Sequence, residues 1–189
     1  MRSTLKMTLL SDTIFGNGVS IPGGEDVSVL CDKEGFPYYK GGTFKGIFRE
    51  EMENFAAWVP EMNLNADEKL GSAGDDRDLP GKLRFYDFVI PQKVRTRVTE
   101  SVQNSDDVLD AFTCLRTFTA LDEEGAAQKN TLRSARCVKE GITLVGAVEH
   151  EESDAAWIEE VLGLIKYVGT MRNRGFGKVR IEIVGGMKG

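Results

Sequence analysis

A single histidine, three cysteines and the lack of any long apolar run close several routes to this 189-residue chain. Cys31, Cys114 and Cys137 are widely separated, and no Cys-x-x-Cys or Cys/His ligand spacing occurs, which argues against a structural zinc site. An odd cysteine count points to a reducing compartment, so the cytoplasm is the expected location. The opening residues, Met1-Arg2-Ser3-Thr4-Leu5-Lys6, lack the apolar core of a signal peptide, and no stretch has the length of a membrane span. No Ser/His/Asp or Cys/His nucleophile set emerges. A basic excess is missing too. The formal net charge is −6, which argues against indiscriminate nucleic-acid binding.

What is present is a 41% hydrophobic chain, enough for one substantial core with insertions. Its cations are clustered. They fall at Lys40, Lys45 and Arg49, at Lys93, Arg95 and Arg97, at Lys129, Arg133 and Arg136, and near the C-terminus. Separate basic islands can form one stripe on an acidic body. The acid-rich stretches 50–78 and 104–124 read as solvated faces that would limit contact with a polyanion to one side or meet a basic neighbour.

Weak alternation over 3–10 predicts a first strand. Residues 14–42 are glycine-rich and read as a long loop, with a short hairpin at 27–31 and 36–39. Phe44, Ile47, Phe48, Met52, Phe55 and Ala56 have helical spacing over 43–59, and Pro60 stops that helix. Residues 63–81 read as a polar, mobile loop. Residues 83–90 read as a strong strand, and 92–130 as an excursion from the core. Two strands, 131–138 and 142–149, flank Glu140-Gly141. Ser153 is the expected N-cap of a helix whose stripe is Trp157, Ile158, Val161, Leu162, Ile165 and Val168. A last strand covers 178–184. This order predicts an α+β, ferredoxin-like (RNA-recognition-motif-like) βαββαβ core, about 1–91 and 131–189, with long insertions. Such a fold hosts many functions, so function must be argued from sites.

The most informative stretch is Gly169-Thr170-Met171-Arg172-Asn173-Arg174-Gly175-Phe176-Gly177-Lys178, between the second helix and the last strand. Glycines let backbone amides approach a phosphate, and Arg172, Arg174 and Lys178 supply charge. A nucleotide-binding P-loop needs strand, loop, helix, and a Ser or Thr after its lysine. Here the order is reversed and Val179 follows Lys178. Arg174-Gly175-Phe176-Gly177-Lys178-Val179 approaches an RNA-recognition-motif strand, but Lys178 stands at its second aromatic position and the chain ends too soon. A clamp on RNA backbone at the sheet edge remains, against an ordinary helix-to-strand turn with solvated arginines. Phe176 either packs under the loop or stacks on a base. A second basic element opens the first helix, Lys40-Gly41-Gly42-Thr43-Phe44-Lys45-Gly46-Ile47-Phe48-Arg49. Glycines and Thr43 leave amides at the positive end of the helix dipole, and Lys45 and Arg49 lie four apart on one face. Gly46 costs helix stability, which implies that a side chain there would obstruct a close neighbour.

These blocks together resemble the RAMP superfamily of CRISPR-associated proteins, nearest the backbone subunit of type III (Csm/Cmr-type) effector complexes. The family has a glycine-rich first loop with an aspartate, a Gly-x-Pro-Tyr turn, a Gly-Ser-Ser-x-Lys-Gly-x-x-Arg helix start and a glycine-rich C-terminal loop. Here these read Gly23-Gly24-Glu25-Asp26, Gly35-Phe36-Pro37-Tyr38, Gly41 to Arg49, and Gly169 to Gly177. Lys40 replaces the family's proline, and Gly42 and Thr43 replace its two serines. The resemblance implies an antiviral-defence subunit that repeats head to tail along a CRISPR guide RNA beside other effector subunits. It implies that Thr43, Lys45, Arg49, Gly169, Arg172, Arg174, Gly175, Gly177 and Lys178 hold RNA, and that 92–130 is a thumb-like hairpin between guide and target RNA. Asp26 would match the aspartate that cuts target RNA with a divalent metal such as Mg²⁺.

The chemistry is economical, because RNA carries its own nucleophile in the 2′-hydroxyl. A carboxylate on a glycine loop can hold Mg²⁺ by one or two oxygens, with phosphate and water completing the shell. Asp26 is the first candidate, with Glu25 and Asp32 as lesser ones. Without the resemblance, Asp26 reads as a turn residue of a glycine-rich loop. Three rivals remain: a non-catalytic subunit of the same complexes, a precursor CRISPR RNA-processing endoribonuclease using His150, and a small phospholigand-binding domain. His150 lies among Glu149, Glu151 and Glu152 and is expected to be a solvated surface residue.

Overall fold

Residues 2–9 alternate between two environments. Ser3, Leu5, Met7 and Leu9 are buried, and Arg2, Thr4, Lys6 and Thr8 lie on the other side, as a half-buried strand requires. A computed structural model describes residues 1–16, 26–72, 82–119 and 132–187. Strand β1 (Arg2–Leu9) leads through the glycine-rich segment to α1 (Gly41–Trp58), whose buried positions Phe44, Phe48 and Met52 recur every four residues. A 3-10 turn at Pro60–Met62 ends it, as Pro60 predicts. Then come α2 (Ala66–Leu70), β2 (Arg84–Phe85), α3 (Gln92–Thr99), α4 (Ser105–Phe112), β3 (Thr113–Phe118), β4 (Arg133–Val138), β5 (Thr143–Glu149), α5 (Ala155–Leu164) and β6 (Val179–Met187). No helix among the described residues is long and apolar enough to cross a membrane.

The main sheet has the order β2-β5-β1-β6 with every neighbouring pair antiparallel. Two units, β1-α1-β2 and β5-α5-β6, therefore interleave, which is the α+β, ferredoxin-like arrangement. Helices α1 and α5 cover one face. Phe44 meets the ring edges of Phe85 and Phe88 at 5.2 and 4.8 Å, and Phe48 reaches Trp157 at 6.2 Å. The expected stripe Trp157, Ile158, Val161, Leu162, Ile165 and Val168 is buried throughout.

Several expectations change. The strong strand over 83–90 forms a ladder only at Arg84–Phe85, followed by single bridges from Phe88 to Tyr39 and Val89 to Val145. Phe85 and Phe88 both face the core, three apart, so the chain must bulge between them and period two is lost. The polar stretch after residue 63 contains α2, capped by Asn65, whose side chain accepts the Asp67 and Glu68 amides at 2.9 and 3.2 Å; 73–81 lie outside the described residues. The excursion from 92 begins with α3 and α4, whose Val98, Val108 and Phe112 join the core. Strand β4 pairs with β3 in a separate two-stranded ribbon and not with β5. Ser153 lies within a 3-10 turn and caps nothing. Its neighbour Asp154 instead accepts from Trp157 Nε1 at 3.1 Å and Lys69 Nζ at 2.7 Å. The short hairpin after residue 27 is present, bridged from Cys31 to Pro37 around Asp32.

Candidate nucleic-acid interface

The loop from Gly169 to Lys178 is held by its glycines. Gly169 and Gly177 both have φ of +77°, and a Cβ would lie 2.4 Å from the Ile14 carbonyl oxygen at the first and 2.0 Å from that of Val168 at the second. No L side chain fits either contact. The segment after β1 stitches the loop down: the Thr170 amide donates to Ile14 O, the Gly177 amide to Asp12 O, and the Lys178 amide to Ser11 Oγ, at 3.0 to 3.2 Å. A 3-10 turn at Arg172–Arg174 crowns it, entered through Met171 at φ +56°. Arg172, Arg174 and Lys178 are exposed and make no ion pair among the described residues. Gly175 has open space where a Cβ would stand.

Asp12 is the peg of this frame. It accepts Arg116 Nε at 2.7 Å and the Glu140 amide at 3.0 Å. Burial would raise its pKa, but the hydrogen bonds from Arg116 and Glu140 outweigh that and hold the carboxyl below its ordinary value. Beside it lies a small second core. Ile14, Ala135 and Cys137 are buried, and Val27, Cys114, Phe118, Met171 and Phe176 pack on them. Burial first, and then Cys114 and Asp12, push the Cys137 thiol up to about 12. Phe176 meets the Phe118 ring edge at 5.4 Å, so it packs under the loop.

Asp26 stands at the rim of the same small core. Val27 bridges in parallel to Ala135, the Asp26 amide donates to Ser134 O at 2.9 Å, and the Ser134 amide donates to Asp26 Oδ2 at 2.7 Å. Sequence reading puts the terminal loop and the Asp26 loop far apart; β4 and the shared apolar cluster bring them together. Glu25, Gly23 and Gly24 lie outside the described residues. Among the described residues, no group of three or more His, Cys, Asp or Glu side chains is placed to hold a metal. Asp32 is consumed by the Glu34 and Phe36 amides and by Arg95 at 2.6 Å. The donor set therefore fits Mg²⁺ only as an ion shared between Asp26 and a substrate phosphate, which matches magnesium's habit of keeping few protein ligands.

The start of α1 differs from expectation. Asp87 Oδ1 accepts the Gly41 amide at 2.8 Å, so a carboxylate of this chain occupies the positive end of the helix. A Cβ at Gly41 would lie 2.4 Å from the Phe85 carbonyl oxygen, which explains that glycine within the chain. Gly42 and Gly46 have nothing within 4 Å of a Cβ, so none of the described residues requires either to be glycine. Thr43 is exposed and Lys45 half-buried. Arg49 turns inward to Asp67 at 2.9 Å and to the Gly71 carbonyl, tying α1 to α2.

His150 is not solvated. It is 7% exposed, Nδ1 lies 2.6 Å from the Glu151 carbonyl oxygen and Nε2 lies 2.8 Å from Ser3 Oγ. The carbonyl only accepts, so Nδ1–H donates to it, and Nε2 shares the second hydrogen bond with the Ser3 hydroxyl. With both nitrogens engaged between β1 and β5, His150 is a structural residue. Three residues that sequence reading passed over shape the site: Asp12, Asp87 and Tyr39. Asp87 had a signal, a charge inside an apolar run; Asp12 and Tyr39 had none. Tyr39 stacks on Phe15 at 4.7 Å, and burial pushes its hydroxyl up to about 12.

The RAMP superfamily profile matches residues 6–180. No curated protein matches the sequence significantly. Among solved structures, a chain of a type III-B Cmr-beta complex in its apo state superposes with a TM-score of 0.66 at 12% identity, covering 97% of each chain. A chain of the type III-B Cmr-beta complex bound to cognate target RNA superposes with a TM-score of 0.69 at 10% identity, covering 96% of each. At these identities the likeness is one of fold.

Proposed function

The chain belongs to the RAMP superfamily, and from that premise we propose that it is a subunit of a type III CRISPR effector complex, gripping guide RNA by its sugar-phosphate backbone. The observation that carries this reading is the terminal loop: a rigid frame presenting three exposed cations without ion-pair partners among the described residues, in an otherwise acidic chain. Such a site reads charge and backbone shape and no base edges, as a subunit must when the guide's sequence varies. Gly42, Thr43 and Gly46 extend the surface with room for a close-lying backbone. Target RNA, further copies of this chain stacked head to tail and other effector subunits complete the proposed assembly.

Cleavage of target RNA at Asp26 belongs to the same proposal. Its exposure beside the loop favours it, and Ser134 leaves one carboxylate oxygen to act on the substrate. That oxygen orients the 2′-hydroxyl for in-line attack, while the loop fixes the neighbouring phosphates. A divalent ion, when bound, would neutralise charge on the reacting phosphate. Arg172→Glu and Lys178→Glu should weaken binding of single-stranded RNA whatever its sequence and flatten its salt dependence, by a slope of roughly 0.7 per cation. Unchanged affinity would overturn the RNA assignment.

A further inference from the structure

Cys114 and Cys137 stand directly opposite one another in the antiparallel β3–β4 ribbon, and both are free thiols. Residues opposed in this way send their side chains to the same face, with Cα atoms about 4.5–5.5 Å apart. A disulfide spans Cα separations of about 4.4–6.8 Å, so the backbone spacing already suits one. Both side chains belong to the small second core. Each is turned to another partner. Cys114 Sγ–H donates to Asp12 Oδ2 at 3.6 Å, and Cys137 Sγ–H to the Ala135 carbonyl oxygen at 3.7 Å. A thiol is a weak donor, so rotation about the two Cα–Cβ bonds gives up little in exchange for an S–S bond. The remaining cysteine, Cys31, is exposed in the hairpin around Asp32.

We infer that Cys114 and Cys137 form a redox-modification site, a dithiol that a low-molecular-weight disulfide of the glutathione class closes into a cross-strand disulfide. Cys114 is half-buried and the more accessible of the two. It gives its proton to solvent and attacks one sulfur of the small disulfide. One small thiolate leaves, and a mixed disulfide remains on Cys114. Cys137 then loses its proton, attacks the Cys114 sulfur and expels the second small thiolate. The protein has lost two electrons and two protons, and the small disulfide has been reduced to two thiols. Burial pushes both protein thiols up, Cys137 to about 12, which makes closure slow. The same shift leaves neither thiolate stabilised in the open form. The paired strands also hold the second thiol at high effective concentration, so the closed form is favoured once reached. In a reducing compartment the pair rests open and closes when the small-thiol pool is oxidised. Met171 and Phe176 of the 169–178 loop pack on the same core, and Ser134, which holds Asp26, lies three positions before Cys137 on β4. The staple therefore fixes the ribbon beneath both, whatever the loop holds.

The test incubates the whole folded chain with oxidised glutathione at mildly alkaline pH, blocks the remaining thiols and maps the peptides by mass spectrometry without reduction. A peptide linking Cys114 to Cys137 is expected. The melting temperature should rise by about 5 °C or more, because the link restricts the unfolded chain, and dithiothreitol should reverse both changes. Cys114→Ser and Cys137→Ala should each abolish the link and the gain in melting temperature. The wild-type result decides even if a variant melts early. Thiols at 114 and 137 that stay free, glutathione that persists on Cys114 without a link, or a link that forms only in denaturant would each overturn the assignment. A link that fails to raise the melting temperature would overturn the staple.

Discussion

The Ser134 amide donates to Asp26 Oδ2 at 2.7 Å, tying the candidate cutting carboxylate to the second strand of the ribbon. Half of that carboxylate therefore serves structure. Asp26→Asn keeps an acceptor for Ser134 and loses the charge. It should bind RNA and melt like wild type while metal-dependent cleavage falls about 100-fold or more. Asp26→Ala should lose the Ser134 bond as well and cost about 1 kcal/mol in stability. Wild-type cutting by both variants would remove Asp26 from the cleavage chemistry.

Arg49 and Arg172 should separate cleanly. Arg49 is engaged with Asp67 and the Gly71 carbonyl, so Arg49→Ala should lower the melting temperature, at a cost of about 1 kcal/mol. The slope of RNA affinity against salt should stay as in wild type. A slope that falls as it does for Arg172→Ala would return Arg49 to the RNA surface.

Two glycines should respond in opposite directions. At Gly177 a Cβ would sit 2.0 Å from the Val168 carbonyl oxygen on a left-handed backbone, so Gly177→Ala should destabilise by about 1–3 kcal/mol. Gly46 lies inside α1 with open space around it, so Gly46→Ala should stabilise the isolated protein by up to about 1 kcal/mol. If RNA lies against this face, the same substitution weakens RNA binding. Unchanged affinity would place the RNA elsewhere.

Asp12 predicts a pH signature. Its folded pKa is depressed, so its contribution is present above the unfolded value of 3.8 and is lost as pH falls through the folded one. Arg116→Ala should lower the melting temperature at neutral pH, and the gap to wild type should narrow well below pH 3.8. A gap independent of pH would mean that Arg116 acts through packing alone.

The core was legible because its signals are local and periodic. Phe44, Phe48 and Met52 announce α1, and Trp157, Ile158, Val161 and Leu162 announce α5. The three exposed cations of the terminal loop were legible because charge beside glycine has few structural uses. Long-range pairing left no such mark. Nothing local says that β4 belongs with β3 rather than β5, since an alternating strand fits either edge. Asp87 could be seen as odd within its strand, but its target, the Gly41 amide, lies 46 residues away. His150 looked solvated because its sequence neighbours are acids, whereas its contacts come from the first strand.

The small second core gathers Ile14, Val27, Cys114, Ala135 and Phe176, drawn from nearly the whole length of the chain. Closing such widely separated contacts is the slowest and entropically most demanding part of folding. Strands β1, β2 and β5 with helices α1 and α5 can condense first, while the 169–178 loop takes its place only as the small core closes and β6 pairs with β1. A shortened or partly translated chain would thus acquire most of its scaffold before the 169–178 loop is set, and fraying of the C-terminal strand would loosen that loop before it melts the body.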